Sequence, residues 1–391
     1  MLSRLAARLV PAIGRQQRRL SEQSDALAGL RQRVRELLGR LKEQERLVSL
    51  ATEGAEELHE HAHHHRVATR RAALLGRSDR PIVVGPWCGE VGFELLYWIP
   101  FVHWLVDRAR LDAQRLVVVT RGGAGIWYRD LARRNVDIFD LVDADAFRGH
   151  AATWKQHRIS PFDRRLLAGA IASAGLQRAR LLHPQLMYRL FTSYWKEEAV
   201  LEPISAFLRY APLPAPPPHA VAASLPEEYV AAKFYFSQSF PDTPANRAFV
   251  QRSIAAVAAQ VPVVVLSVGA RLDDHHDALI PSMAGVQVLQ ADVRDNLAAQ
   301  SAVVARARGF IGTYGGFSYL APLYGVDSVS FFSERDKLVP FHLEHAQRVY
   351  GSRPGGRFLA VDTADARALS LSFQRAPAVV EWQGSAAGIR E

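Results

Sequence analysis

The stretch "IGTYGGFSYLAPLYGV" (Ile311–Val326) is where the fold can first be read. Gly309, Phe310 and Ile311 read as a short apolar strand, and Gly312, Thr313, Tyr314, Gly315 and Gly316 as a turn. Leu320, Ala321, Leu323 and Tyr324 then form one apolar helical face. In open α/β sheets, ligands bind at the carboxyl ends of strands, where loops lead into helices. Glycines at such a joint let a ligand come close to the backbone and permit positive φ. The helix that follows offers free N–H groups and the positive end of its dipole, which suit a phosphate. Thr313 and Ser318 add hydroxyl donors. The competing reading is a tight turn that only lets the helix pack on its sheet.

Outward from this joint, "DNLAAQSAVVARAR" (Asp295–Arg308) reads as the preceding helix and "YGVDSVSFF" (Tyr324–Phe332) as the way into a further strand. Strands and helices alternate from about Asp79. Candidate strands are Ile82–Gly85, Leu116–Thr120, Val136–Leu141 and Leu181–His183, then Tyr229–Phe236, Val261–Gly269, Val286–Leu289, Gly309–Gly312 and Ser328–Phe332. Thr243 as N-cap and Pro244 at the first helical position open the first helix of the second series. A Pro-rich link, "APLPAPPPHAVAASLP" (Ala211–Pro226), separates the two series. The expected organisation is an N-terminal α/β domain over 79–210, a stiff linker over 211–226, a second α/β domain over 227–365 and a tail over 366–391. Both domains are expected to be doubly wound, Rossmann-like and facing a cleft.

Upstream of 79 the text differs. Residues 1–20 carry five arginines and no acid, which suits a basic amphipathic segment on anionic lipid or a solvated helix. Over 21–66, Leu27, Leu30, Val34, Leu37, Leu41, Gln44, Val48 and Ala51 follow 3-4 spacing, the seam of a self-associating coiled coil. A homo-oligomer is the expectation. The segment "HEHAHHH" (His59–His65) is dense in imidazole, but no second ligand cluster nearby closes a site.

The chain has 391 residues, 49% hydrophobic and 22% charged, enough for two cores. A net charge of +9 suits anionic partners. The basic residues are spread along the chain without a nucleic-acid motif, so nucleic-acid binding is not expected. With one cysteine, Cys88, no internal disulfide can form, which favours a reducing compartment. No apolar run approaches the ~20 residues of a membrane span, and no clear cleavable signal is present. The expected location is cytoplasmic, with the inner face of the membrane as an option through residues 1–20.

A strand, a Gly/Thr/Ser turn, "YLAPLYGV" and a further strand resemble the C-terminal domain of GT-B glycosyltransferases, most strongly the heptosyltransferase-like group of bacterial cell-surface polysaccharide assembly. The resemblance covers roughly residues 80–365. Members of that group often carry Asp at the start of this turn, where this chain has Gly312 or Thr313. It implies a nucleotide-sugar donor, used as a substrate with no cofactor, and a saccharide or lipid-linked acceptor. The donor's diphosphate is then expected at Gly312, Thr313, Tyr314, Gly315, Gly316 and Ser318. Lys233, Ser237 and Ser239 on "AAKFYFSQSF", Arg271 after "VPVVVLSVGA" and His342 in "PFHLEHAQ" are expected to contribute. Preorganised positive charge aimed at a departing phosphate is the largest stabilisation such a site supplies. For the cations the competing reading is a surface ion pair, and for His342 a neutral imidazole packed beside Phe341.

The second informative stretch is "GPWCGEVGFELLYWIPF" (Gly85–Phe101). In the GT-B family the corresponding loop faces the cleft, and a carboxylate there often takes the acceptor's proton. Glu94 matches best by its distance to Pro100, and Glu90 is the alternative. A sugar hydroxyl is a poor nucleophile, so a positioned carboxylate has a task there. Gly89 and Gly92 would admit the acceptor. Glu94 also reads as a first-turn acid favouring its helix dipole.

Two short acidic patterns match metal chemistry weakly: "DAD" (Asp143–Asp145) and "DDHHD" (Asp273–Asp277). No metal is expected. The leading expectation is a metal-independent glycosyltransferase. The alternatives are a coiled-coil scaffold whose GT-B body binds ligand without turnover, and a polysaccharide pyruvyl transferase on the same double fold.

Overall fold

The computed structural model describes residue 27 and residues 29–49, 62–151, 156–195, 204–267, 276–351 and 355–366. The expected basic segment 1–20, His59, His61, Arg271, residues 273–275 and the tail beyond 366 lie outside the described residues. The chain forms two units, Met1–His63 and His64–Glu391.

In the first unit, residues 29–49 form one helix, α1. Its heptad positions carry exposed apolar side chains, with Leu37 62% and Val48 65% exposed. Arg46 and Glu43 pair along its surface at 2.7 Å.

A helix, α2 (residues 62–76), buries Ala68, Ala72 and Leu75 of the second unit. A four-stranded parallel sheet follows, built from β1 (Ile82–Val84), β2 (Leu116–Thr120), β3 (Arg134–Asp137) and β4 (Arg180–Leu182), in the order β3-β2-β1-β4. Every residue of β1 and β2 is buried, as a sheet covered on both faces requires of an apolar run. After β1 the chain runs through Val91–Phe93, Glu94–Trp98 and Ile99–Ala109 as one helical stretch, α3, whose middle segment is π-helical. Helix α4 is Ala144–Ala151. Helix α5 (Pro161–Ser173) starts with a capping box between Ser160 and Asp163, and α6 is Gln185–Trp195.

The second sheet has six strands: β5 (Val230–Lys233), β7 (Val263–Ser267), β9 (Val286–Gln290), β10 (Gly309–Thr313), β11 (Ser328–Phe332) and β12 (Phe358–Asp362). All are parallel, in the order β12-β11-β10-β5-β7-β9. The chain starts at the centre, moves outward through β7 and β9, then returns to build β10, β11 and β12 on the other side. That is double winding, and its topological switch point lies between β5 and β10. Two-residue strands β6 (Tyr235–Phe236) and β8 (His276–Asp277) pair antiparallel at its rim. Its helices are α7 (Pro244–Ala258), α8 (Asn296–Val304), α9 (Gly316–Leu323) and α10 (Pro340–Gly351). Thr243 caps α7 by accepting from the Asn246 N–H.

Two expectations shift. The third strand is Arg134–Asp137 rather than Val136–Leu141, because Ile138–Asp140 turns into a single 3-10 turn. β8 and β12 carry strands where none was expected. The Pro-rich segment, expected as a stiff linker, also makes contacts of its own: the Leu213 N–H donates to the Leu323 carbonyl at 3.0 Å, Arg129 reaches Ala215 O, and His219 meets Asp295 at 2.6 Å. One hydrophobic core accordingly runs through both lobes, from Ile82 and Trp98 to Phe310 and Leu320.

Candidate active site between the two lobes

The loops after β1 and β2 meet the loops after β9 and β10, so the carboxyl edges of the two sheets face each other. The Gly122 carbonyl accepts from the N–H groups of Leu297 (2.8 Å) and Ala298 (3.3 Å) at the start of α8. Trp127 Nε1 donates to Ser301 Oγ on the same helix at 2.9 Å. At the other joint, a Cβ on Gly92 would lie 3.4 Å from the Gly316 Cα, and one on Gly316 only 3.0 Å from the Gly92 nitrogen.

At the switch point of the larger sheet, Lys233 ends β5 with only 6% exposure. Its ammonium donates to Asp277 Oδ1 at 3.1 Å and to the Leu266 carbonyl at 3.2 Å, and lies 5.1 Å from the centre of the Phe317 ring. A buried ammonium needs such partners, since an unpaired one is costly in low dielectric. Ser237 and Ser239 lie in the following turn with hydroxyls 3.3 Å apart. The Ser239 carbonyl fastens this turn to the end of β11 by accepting from Ser333 and Glu334 N–H groups.

The glycine joint differs from the open cradle expected of it, and each of its expected residues has a protein partner. A Cβ on Gly312 would sit 2.2 Å from the Lys233 carbonyl, so the neighbouring strand occupies that space. Gly315, with φ of +140°, makes room for the Tyr235 hydroxyl, 2.0 Å from where its Cβ would be. That hydroxyl donates to the Tyr314 carbonyl at 3.1 Å. Thr313 Oγ1 accepts from the Tyr235 N–H and donates to the Tyr235 carbonyl, at 3.0 and 2.7 Å. Ser318 Oγ closes on Gly315, donating to its carbonyl at 2.6 Å and accepting its N–H at 3.1 Å. The tight-turn reading thus accounts for these contacts, and Gly316 faces Gly92 of the other lobe.

The two carboxylates of the first loop sit in opposite environments. Glu94 has no exposed surface. Its Oε2 accepts from Arg121 Nη1 at 2.8 Å and its Oε1 from the Tyr128 hydroxyl at 2.7 Å, while Arg121 Nη2 also holds the Gly89 carbonyl. Burial pushes the Glu94 carboxyl up, against the pull of Arg121 and Tyr128. Both oxygens are engaged in a closed network, so Glu94, the better match by spacing, cannot reach an acceptor as it stands. Its distance from Pro100 reflects α3 geometry. Glu90 is exposed, and the Trp87 indole donates to its carbonyl at 3.3 Å.

A pocket of about 490 Å³ between the lobes is lined by Phe93, His157, Tyr188, Trp195, Phe341 and His342 among others. Burial raises the Tyr188 pKa first, and the negative charge of Glu90 adds to it. Phe93 joins this pocket to the glycine joint, being the residue after Gly92. His342 accordingly lies at the lobe interface rather than on the β5–β10 edge: its Nδ1 is 2.6 Å from the Tyr97 hydroxyl, and its ring meets Phe93 edge-on at 4.9 Å. Helix α10 is held further by His345, whose Nε2 is 2.6 Å from the Tyr210 hydroxyl. Burial, then the charge of Arg348, lowers the His345 pKa to about 4.

The acidic patterns resolve into local roles. Asp143 accepts from the Ala146 N–H at 2.7 Å, capping α4, and Asp145 pairs with Arg148 at 3.0 Å. Asp277 holds Lys233, and His276 lies 3.5 Å from Asp242. Among the described residues no three His, Cys, Asp or Glu side chains cluster to hold a metal.

Several residues escape sequence reasoning. Asp277 as the Lys233 partner and Arg121 as the Glu94 partner come together only through the sheet. The aromatic pocket has a faint signal in "QLMYRLFTSYW" (Gln185–Trp195), where Tyr188, Phe191 and Trp195 share one helical face, but that spacing equally describes core.

No family model and no curated relative matches this chain. Solved structures similar to it include the iron-containing dodecameric glycosyltransferase TibC from enterotoxigenic E. coli, at 14% identity over 65% of this chain and 58% of that one, with a TM-score of 0.34. The chain thus spans less than two thirds of TibC. A family 9 glycosyl transferase from Veillonella parvula is 10% identical, with 74% of this chain and 88% of that one covered and a TM-score of 0.38. The E. coli heptosyltransferase WaaC with ADP is 16% identical, over 65% and 87% of the two chains, with a TM-score of 0.34. Among the described residues no helix is long and apolar enough to cross a membrane.

Proposed function

We propose that this chain is a GT-B glycosyltransferase that moves a sugar from a nucleotide-sugar donor to a saccharide or lipid-linked acceptor, without a metal, in the assembly of a cell-surface polysaccharide. One observation carries the reading: two parallel sheets turn their carboxyl edges toward each other, and the switch point of the larger one bears the buried cation Lys233. Ligands of doubly wound sheets bind at such points. The acceptor oxygen attacks the anomeric carbon while the bond from that carbon to the diphosphate oxygen breaks. The bonding electrons leave with the diphosphate, and the acceptor's proton passes to the Glu90 carboxylate. Lys233 offsets the growing phosphate charge, with Ser237 and Ser239 as hydroxyl donors. A donor reaching the N–H groups at Gly316 displaces Gly92, so the lobes part at this joint during the cycle. Helix α1 associates with copies of itself through its heptad seam, and the basic segment 1–20 touches anionic lipid.

The packing of Gly316 on Gly92, and of α8 on Gly122, favours a second reading: a scaffold whose two-lobed body binds ligand without turnover. A thermal-shift screen of nucleoside diphosphates and nucleotide sugars, followed by mass detection of the product, separates the two. A donor at a hundred times its dissociation constant stabilises the fold by ~2.7 kcal/mol. Binding with a sugar-mass increment on an acceptor supports the transferase, binding without turnover the scaffold, and no binding defeats both.

A further inference from the structure

We propose that the amino edge of the smaller sheet is a docking face for an anionic lipid surface. Its strands begin nearly level, since Ile82 pairs with Leu116 and Arg180, and Val117 with Arg134. The Arg133 N–H donates to the Ala113 carbonyl and the Arg180 N–H to that of Pro81, which ties the strand starts together. Arginines that look scattered along the sequence gather here. Arg80 precedes β1, Arg110 follows α3 on the way to β2, Arg133 precedes β3 and Arg178 precedes β4; all four are exposed. Among the described residues none of the four pairs with a carboxylate. Arg115 and Arg134 donate to neutral carbonyls, those of Leu75 (3.2 Å), Arg80 (3.1 Å) and Ala174, so their charge is not cancelled either. Asp79, Asp112 and Asp130 are the acids on the same turns, and Asp107 is taken by Arg209. Positive charge dominates the edge.

Two features favour lipid headgroups over other polyanions. Arg133 and Arg134, with Asn135 and Ser173, line a recess of about 310 Å³ beside β3, which gives a phosphate room between guanidinium groups. Leu74, three residues before Arg77 at the end of α2, is 44% exposed, an apolar side chain set beside basic ones as interfacial segments carry it. A single-stranded nucleic acid binds through aromatic faces as well as charge, and among the described residues no Phe, Tyr or Trp is exposed. The strands run from this edge to the carboxyl edge that bears the candidate site, so docking leaves the cleft clear. The inference needs neither the transferase reading nor residues 1–20, which would act separately.

The test is co-sedimentation of the full chain with phosphatidylcholine vesicles, with and without phosphatidylglycerol. The parent is expected to bind only the anionic vesicles. Each arginine near such a surface is worth roughly fivefold, so Arg80→Gln/Arg110→Gln/Arg133→Gln/Arg178→Gln should bind about a hundredfold more weakly, with the urea midpoint unchanged. Arg252→Gln/Arg306→Gln, exposed on the other lobe, should bind like the parent. A parent that ignores anionic vesicles overturns the proposal. So does a quadruple variant that binds like the parent, which would place the contact in residues 1–20 or elsewhere. A control variant that loses as much per arginine overturns it too, because bulk charge rather than one face would be acting. An RNA oligonucleotide bound more tightly than the vesicles, and released by the same four substitutions, would assign the face to nucleic acid instead. Sugar transfer to a soluble acceptor should be equal in parent and quadruple variant; its absence from both defeats the transferase reading and leaves this face standing.

Discussion

Replacing Glu94 by Gln separates a buried structural carboxylate from a catalytic one. Glu94 is fully buried, with Arg121 at 2.8 Å on one oxygen and Tyr128 at 2.7 Å on the other. The substitution keeps the volume but removes the charge that balances Arg121, itself only 5% exposed. Arg121 would keep the Gly89 carbonyl as its other partner. Removing one member of a buried ion pair costs about 3–5 kcal/mol, because the remaining charge is uncompensated. Glu94→Gln should therefore lower the urea midpoint sharply, and the double variant Glu94→Leu/Arg121→Met should recover much of the loss. Glu90→Gln should leave the midpoint within about 0.5 kcal/mol, as surface changes do, and lower sugar transfer by roughly 10²–10⁴. Urea unfolding followed by tryptophan fluorescence, with product mass read in parallel, measures both. A Glu94→Gln chain as stable as the parent but without transfer would refute this assignment of roles.

Three further outcomes follow from the packing. Acid should loosen the fold through His345: its folded pKa is about 4, below the ~6.5 of an unfolded histidine, so the unfolded chain takes up the proton first and stability falls as pH drops through that window. The loss approaches ~3 kcal/mol by pH 4, and His345→Gln should flatten the slope of urea midpoint against pH. Gly315→Ala should destabilise by at least about 2 kcal/mol, from its φ of +140° and the Tyr235 hydroxyl 2.0 Å from the new Cβ, with partial recovery in the Tyr235→Phe background. Leu37→Asp in the seam of α1 should lower the mass seen by sedimentation, whereas unchanged mass would remove the coiled coil as the means of association.

How much of this was legible in sequence depended on range. The β10–turn–α9 joint, the capped start of α7 and the apolar strands were readable because their signals are local: a run of Val and Ile, a Thr-Pro pair, a glycine cluster. The double winding followed from alternation alone. What each glycine faces was not readable, since Lys233 O, the Tyr235 hydroxyl and Gly92 come from other elements. Glu94 and Glu90 lie four residues apart, and spacing to Pro100 favours Glu94. Arg121 and Tyr128, brought in from beyond β2, bury one and leave the other at the surface. The short rim strand β8 was obscured by its acidic and imidazole composition, and its Asp277 is the partner that makes Lys233 tolerable in the interior.

The most direct measurement is isothermal titration of the full chain with a panel of nucleoside diphosphates, repeated on Lys233→Met. The account predicts that one of them binds, that Lys233→Met weakens it at least tenfold, and that Glu90→Gln leaves it unchanged. A parent chain that binds none of them, or a Lys233→Met chain that binds as tightly as the parent, would contradict a phosphate site at the β5–β10 switch point.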